Sequence, residues 1–350
     1  MKILTTALET TDIRLTRSIS TANGSLGDRS GVSLRLETAE GIGFGASAPI
    51  PGSSETGALE TLAAQLRSWT DGAVGRSVDE LLDDLDTAGL APLARFAAHT
   101  ALADLASRGA GAPLHHWLRA GSTPRIRTNA LVSDDEPKAV HAAVQAHVAA
   151  GATAVKLKVA ATDTSTDATR IIAASEACGP DVELRLDANG GWTFDDAVRV
   201  IGRVGRHRIA YVEDPTADPV GFGSVAEATG VAMAHDVGPA DADDLPGVLE
   251  RTGATVLVVK AAAAGGIDRV LDAARAIDES HRLIVSSSID DPIALLAGLH
   301  AAAALPGDEA HGLGTASLVR RMPTALEPVG GTVLLPDGPG LGHPVAEATD

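Results

Sequence analysis

Between residues 154 and 265 the chain reads AVKLKVA (154–160), ELRLDANGGW (183–192), IAYVEDP (209–215), VAMAHD (231–236) and VLVVKAAAAG (256–265). Each stretch is a short apolar run that ends on a charged residue and leads into a longer, Ala-rich segment. The charged residues are Lys158, Asp187, Glu213, Asp236 and Lys260, separated by 29, 26, 23 and 24 residues. That spacing is one strand, one helix and two short connections. If the strands are parallel and close into a barrel, all five side chains ring a single mouth, the C-terminal face on which such barrels carry their active sites.

The rhythm extends in both directions. From about residue 125, strand-like runs are expected at 126–131, 153–159, 182–187, 209–213, 231–235, 255–260, 282–287 and roughly 308–313, with helical patterns between them. Eight such units predict an α/β fold of the TIM type, a (β/α)8 barrel. Upstream, residues 1–55 read as β structure: Val32, Leu34 and Leu36 alternate before a turn at Glu40-Gly41. Gly41, Gly43 and Gly45 fit a hairpin better than a dinucleotide loop, because no helix opens after them. Residues 57–119 read as helical, with Gly109, Gly111 and Pro113 ending the pattern. We therefore expect an α+β capping domain over 1–120, a catalytic barrel over 121–325, and a segment, 326–350, that returns to the cap.

Length and composition allow this. The 350 residues exceed one ordinary domain, and the 45 % apolar content with only 2 % aromatics demands a core of Ala, Val, Leu and Ile. A net charge of −18 excludes a nucleic-acid partner, which needs a basic surface. The single cysteine, Cys178, excludes an internal disulfide framework and suits a reducing compartment. The opening MKILTTALETTDIRLT has no apolar h-region, and no run of 18 apolar residues follows. A cytoplasmic protein without a membrane partner is expected; a homo-oligomer stays open. Of 28 basic residues only five are lysines: Lys2, Lys138, Lys156, Lys158 and Lys260. Three of the five lie in apolar, strand-like runs. Arginine does not deprotonate in a protein and lysine does, so this usage points to acid–base work.

The chemistry follows from the charges. Three convergent carboxylates repel unless a cation neutralises them, and oxygen donors select a hard ion, Mg²⁺ or Mn²⁺. Asp187, Glu213 and Asp236 are the expected ligands. The ion would leave positions for a small carboxylate substrate and acidify its α-proton. Lys158 and Lys260, facing each other, can then move that proton, with nearby positive charge lowering a lysine toward the working pH range.

At these residues the chain resembles the enolase superfamily in its muconate-cycloisomerase-like branch. The likeness rests on the K-x-K of Lys156 and Lys158, the D-A-N of Asp187–Asn189, the E-D-P of Glu213–Pro215 and the lysine of VVKAAAAGGI. Gly43, Gly45 and Pro49 in the cap, and the closing PDGPGLG, extend it over nearly the whole chain. Within the branch it most resembles actinobacterial-type o-succinylbenzoate synthases, through RLDANGGW, VSSSIDD and AGLHAAAALPGDEAHGLGT. The resemblance implies a lyase that removes a proton α to a carboxylate in a syn-dehydration of menaquinone synthesis. It makes Lys158 the general base or acid, sets Lys260 on the opposite face of the substrate and gives Lys156 an electrostatic part. Racemisation of N-succinylamino acids and epimerisation of dipeptides are the alternatives; a barrel that only binds a carboxylate is another. Two departures bear on the substrate: relatives often carry Asp-Glu-Ser where this chain has Asp236-Val237-Gly238, and glutamate where it has Ala46.

Other residues complete the reading. Asn189 and Ser286, Ser287 and Ser288 are candidates for holding substrate; the serines could equally cap the next helix. Backbone N–H groups around His311, Gly312 and Gly314 could hold a carboxylate. Gly265-Gly266 could bring a helix N-terminus to an anion, or make a plain turn. His235 should point away from Asp236 by strand alternation, and Cys178 is expected to be inert.

Overall fold

The computed structural model describes residues 1–22, 24–51, 57–205, 208–242 and 244–342. The alternating run from Arg29 becomes β4 of an antiparallel sheet. Its strands are β1 (Thr5–Ile13), β4 (Arg29–Glu37) and β5 (Ile42–Ser47), in the order β1-β4-β5. The glycine-rich stretch is the hairpin strand β5, not a dinucleotide loop. A small ribbon of β2 (Ile19–Thr21) and β3 (Gly24–Leu26) precedes β4.

Four helices follow: α1 (Leu59–Ala73), α2 (Val78–Asp83), α3 (Pro92–Gly109) and α4 (Leu114–Leu118). Helix α3 opens with Pro92 in its first turn and is buried on nearly every face. It lies directly on β5: a Cβ at Gly43 or Gly45 would run into the carbonyl oxygens of Ala101 and Ala97. That contact explains the two glycines.

The barrel begins after β6 (Arg125–Arg127). Its strands and helices are β7 (Ala130–Val132), α5 (Pro137–Ala149), β8 (Ala154–Lys158), α6 (Thr164–Cys178), β9 (Glu183–Asp187), α7 (Phe194–Val204), β10 (Tyr211–Glu213), α8 (Phe222–Thr229), β11 (Met233–Asp236), α9 (Leu245–Thr252), β12 (Val256–Lys260), α10 (Ala261–Ala264), α11 (Ile267–Ala276), β13 (Arg282–Ser286) and α12 (Pro292–Ala304). Seven parallel strands run in sequence order from β7 to β13. The expected eighth strand at 308–313 is reduced to single bridges, Thr128 to His311 and Ser286 to Gly312, which close the barrel. The expected strand at 126–131 divides: its first part, β6, pairs with β14 (Thr332–Leu334) instead of the barrel.

Alternation sorts the side chains. Val155, Leu157, Leu184 and Leu186 pack outward among the helices. Tyr211, Ala234, Val256, Val258 and Ile284 form a separate cluster inside the barrel. Below the mouth, the fully buried Arg185 donates to Glu183 and to the carbonyl of Ala310, with its guanidinium 5.2 Å from the centre of the Tyr211 ring. Past β14 the chain reaches α3 and α4, where Leu341 N donates to Asp104 Oδ1 at 2.7 Å and Leu114 N donates to the carbonyl of Gly340. Residues 343–350 of the expected returning segment lie outside the described residues. No helix among the described residues is long and apolar enough to cross a membrane.

Candidate active site

Strand register builds the site. Lys158 is level with Asp187, and Asp187 with Glu213. On the far side Asp236 is level with Val258 and Lys260 with Ser286. All five charged residues therefore reach one cavity of about 830 Å³, together with Lys156, Asn189, Ser286, Ser287, Ser288 and Gly312. The described lining from outside the barrel is mixed: Ile19, Leu26, Ile50 and Pro51 are apolar, and Thr21, Ser25 and Asp28 are polar. A second cavity, about 670 Å³, is lined by Arg127, Glu183, Arg282 and Glu309 around the strand starts. It is remote from this cluster.

The lysines hold the carboxylates. Lys156 Nζ donates to both Glu213 oxygens, at 2.7 and 2.8 Å, and lies 2.7 Å from Asp187 Oδ2. Lys158 Nζ donates to Asp187 Oδ2 at 2.7 Å and to Asn189 Oδ1 at 2.8 Å. Lys260 Nζ donates to Asp236 Oδ2. Burial works against the charge of Asp187, yet the ammoniums of Lys156 and Lys158 outweigh it and hold the carboxyl well below its usual range. Glu213 goes the other way: burial and the charges of Asp187 and Asp236 push it up to about 8, against Lys156. Burial opposes the ammonium form of Lys156 and of Lys260, but their carboxylate partners dominate and raise both. In the absence of a cation the nearest neighbours of these two lysines are anions, which favour the ammonium form.

Among the described residues no three acidic, histidine or cysteine side chains close into a formed metal cage, since an ammonium sits on each carboxylate. The donor set nevertheless fits a hard ion. Three carboxylates end adjacent strands, and Asp236 Oδ1 is buried with no hydrogen-bond partner. An orphaned carboxylate oxygen of this kind is costly unless something occupies it.

Several supports were not legible in the sequence. The buried pair Asp167 and Arg170 on α6 clamps two strand ends. Arg170 Nη2 donates to the carbonyl of Lys158 at 2.8 Å. Asp167 Oδ2 accepts from Ala160 N at 2.9 Å and from Trp192 Nε1 at 3.0 Å. Asp214, beside Glu213, accepts from Asp236 N at 3.1 Å and so ties β10 to β11. The only signal was the i, i+3 spacing of Asp167 and Arg170, which is common on surface helices.

Other candidates resolve differently. His235 points outward, hydrogen-bonded to Asp214 and Asp241. The amides of His311 and Gly312 donate to the carbonyls of Arg127 and Val285, so barrel closure takes these two of the groups expected to hold a carboxylate. Gly314 packs against Asn129, and a Cβ there would come within 2.6 Å of its carbonyl oxygen. Gly265 O accepts from Arg95 Nη1 at 2.7 Å, and Arg95 is paired with Asp268 in the first turn of α11. That helix start already has its anion, in cis. Cys178 is buried, and burial pushes its thiol up to about 11, which keeps it inert.

An α/β barrel with charged strand ends converging on one mouth has the arrangement in which barrel enzymes carry their active sites. The model of the family described as enolase C-terminal domain-like matches residues 138–349, and the chain belongs to that family. It is 29 % identical over 283 residues to a hydrophobic dipeptide epimerase of Enterococcus faecalis, covering 77 % of this chain and 78 % of the relative. It is 37 % identical over 172 residues to an o-succinylbenzoate synthase of Mycolicibacterium smegmatis, covering 48 % of this chain and 52 % of the relative. The structure of a dipeptide epimerase from Enterococcus faecalis, complexed with Mg and the dipeptide L-Leu-L-Tyr, superimposes with a TM-score of 0.88 at 24 % identity, over 98 % of this chain and 99 % of that one.

Proposed function

We propose that the chain removes a proton α to a carboxylate and that its reaction is the syn-dehydration of o-succinylbenzoate synthases, a step of menaquinone synthesis. The observation that carries the proton-transfer reading is the placement of Lys158 on β8 and Lys260 on β12. Four strands apart, they flank the cavity from opposite sides of the barrel. Asp187, Glu213 and Asp236 would hold Mg²⁺ or Mn²⁺, which when bound withdraws electron density from a substrate carboxylate and acidifies the α C–H. Lys158 is oriented by Asp187 and Asn189. In its neutral form it takes the α-proton. As the C–O bond to the β-hydroxyl breaks, the same ammonium returns the proton to the departing hydroxide on that face, and water leaves. Lys260 stays protonated and stabilises charge on the other face. Lys156 neutralises Glu213 and Asp187.

Two observations favour dehydration over dipeptide epimerisation. The stronger local identity, 37 % over 172 residues, is to the synthase. A dipeptide also needs a carboxylate for its ammonium. Beyond Asp187, Glu213 and Asp236, the described lining offers only Asp28, whose oxygens already accept from Leu15 N and Arg14. The epimerase reading rests on the longer match, over 77 % of this chain.

The test is a substrate panel in D₂O: the dehydration substrate, N-succinylamino acids and dipeptides. Rapid dehydration with little deuterium entering the others is expected. Deuterium in both epimers of a dipeptide or both enantiomers of an N-succinylamino acid, with negligible dehydration, would establish the alternative. Binding without dehydration or exchange would leave only the carboxylate-binding reading.

A further inference from the structure

Arg29 opens strand β4, outside the barrel, yet its side chain is 1 % exposed and reaches the loop that leaves β13. Its Nη2 donates to the carbonyls of Ser288 and Ile289 at 2.7 and 2.8 Å, and lies 3.4 Å from Asp290 Oδ1. Asp290 in turn accepts from Ser288 N at 3.0 Å through Oδ2. One guanidinium and one carboxylate therefore grip three consecutive residues of a loop 259 positions away in sequence.

What they grip is strained. Ile289 has φ of +62°. A β-branched residue is a genuine outlier there, because its Cβ crowds the backbone. Such conformations persist only where the surroundings over-determine them, and they cluster at functional sites. Both backbone groups of Ile289 are held: Arg29 Nη2 donates to its carbonyl, while its N–H donates to Ser287 Oγ at 3.3 Å. Ser287 Oγ is itself 3.0 Å from Thr315 Oγ1. Ile289, Ser286, Ser287 and Ser288 all line the cavity, beside Lys260.

The geometry points to two roles that the proton-transfer residues do not cover. Arg29 is a positioning residue: it latches β4 onto the barrel and holds the 288–290 loop in its strained path. Ile289 is a specificity residue: the left-handed turn presents its apolar side chain to the cavity, against the part of the substrate remote from the carboxylate. The second role rests on the reading of this cavity as the substrate site. The first does not.

Four variants separate the two. In Arg29→Met, hydrogen–deuterium exchange over residues 286–290 should rise by about tenfold or more, the factor expected when strain of this class loses its restraint. Arg29→Lys should restore part of the protection, since an ammonium can still reach the carbonyls. Ile289→Gly removes the strain, because glycine takes positive φ freely. In the double variant, Arg29→Met with Ile289→Gly, the loop should keep its path and its protection, so the two effects are not additive. Unchanged exchange in a folded Arg29→Met protein, or additive effects in the double variant, would overturn the latch. If Arg29→Met does not fold, the same comparison made with Arg29→Lys decides it. On the substrate that proves active, Ile289→Gly should raise KM about tenfold with kcat nearly unchanged and relax discrimination between substrates that differ in their distal part. An unchanged KM and substrate profile would overturn the specificity role and leave the latch standing. If no substrate turns over, the functional reading fails while the exchange experiment still judges the latch.

Discussion

Lowering the pH should remove the stability that two buried histidines contribute. His300 on α12 is fully buried, and its ring is used at both nitrogens: Nδ1 accepts from His115 N at 3.0 Å and Nε2 donates to the carbonyl of Leu341 at 3.2 Å. A second proton has nowhere to sit. Burial, helped by the neighbouring His115, brings the imidazole down to about 3. His311 behaves likewise: Nδ1 accepts from Val285 N at 3.0 Å, and burial with the charge of Arg185 lowers it to about 4. Both folded pKa values lie below the unfolded value near 6.5, so the stability they contribute is present above pH 6.5 and drains away as the pH falls. At pH 5 the unfolded rings carry protons and the native ones do not, which costs about 2 kcal/mol per histidine. Asp291 partly compensates. Burial and the charge of Asp290 raise it to about 6, so its native carboxyl protonates first and its contribution grows by about 1 kcal/mol over the same range; Glu213, raised to about 8, works in the same direction, so the net curve does not isolate the histidines. The clean measurement is a comparison of slopes. Urea unfolding of wild type and His300→Asn between pH 7.5 and 5 should show the variant losing about 2 kcal/mol less. Asparagine keeps an acceptor near the Nδ1 position but cannot take up a proton, so its constant cost does not enter the slope. Parallel curves, within about 0.5 kcal/mol, would refute the buried-imidazole argument.

Two further outcomes concern the barrel mouth. Lys158→Arg should lower turnover by at least about 10²-fold, because guanidinium keeps the charge and cannot accept the α-proton; near-normal turnover would exclude proton transfer by this residue. Exhaustive chelation should abolish activity and Mg²⁺ or Mn²⁺ should restore it, while Asp187→Asn should shrink the rise in melting temperature that added Mg²⁺ gives the wild type. Full activity after verified metal removal would sink the metal assignment.

The barrel was legible because its signals are local. Apolar runs of strand length, each ended by a charge and spaced by one helix, need no knowledge of distant residues, and the register confirms the shared level of Lys158, Asp187 and Glu213. The eighth strand was overread: its apolar run is interrupted at Asp308-Glu309, and only His311 and Gly312 make bridges. The division of the first strand was hidden because β6 is claimed by β14, some 200 residues later, through backbone pairing that leaves no side-chain pattern. Arg29, Asp167 and Arg170 were invisible for a related reason. Each is a polar residue whose partners are backbone groups or side chains brought near by the fold, and composition cannot tell a buried clamp from a solvated surface charge. The direction of a lysine's shift depends on which charge lies nearest, a matter of ångströms that spacing in the sequence does not carry.

The charge cluster itself argues for function over stability. A chain that takes arginine for 23 of its 28 basic residues spends three of its five lysines in a barrel interior, level with three carboxylates. Buried ion pairs are weak stabilisers, and apolar residues of similar volume in their place are often neutral or better. The same interior also holds apolar side chains, Ala234, Val256, Val258 and Ile284, packed together. Six ionisable groups drawn together above that layer are therefore a cost the fold carries. They leave one carboxylate oxygen, Asp236 Oδ1, unpartnered and shift Asp187 and Glu213 in opposite directions. Perturbed ionisable groups gathered in a cleft are candidates for function. A barrel that only bound a carboxylate would meet its needs with arginine, which grips both oxygens and never has to let a proton go.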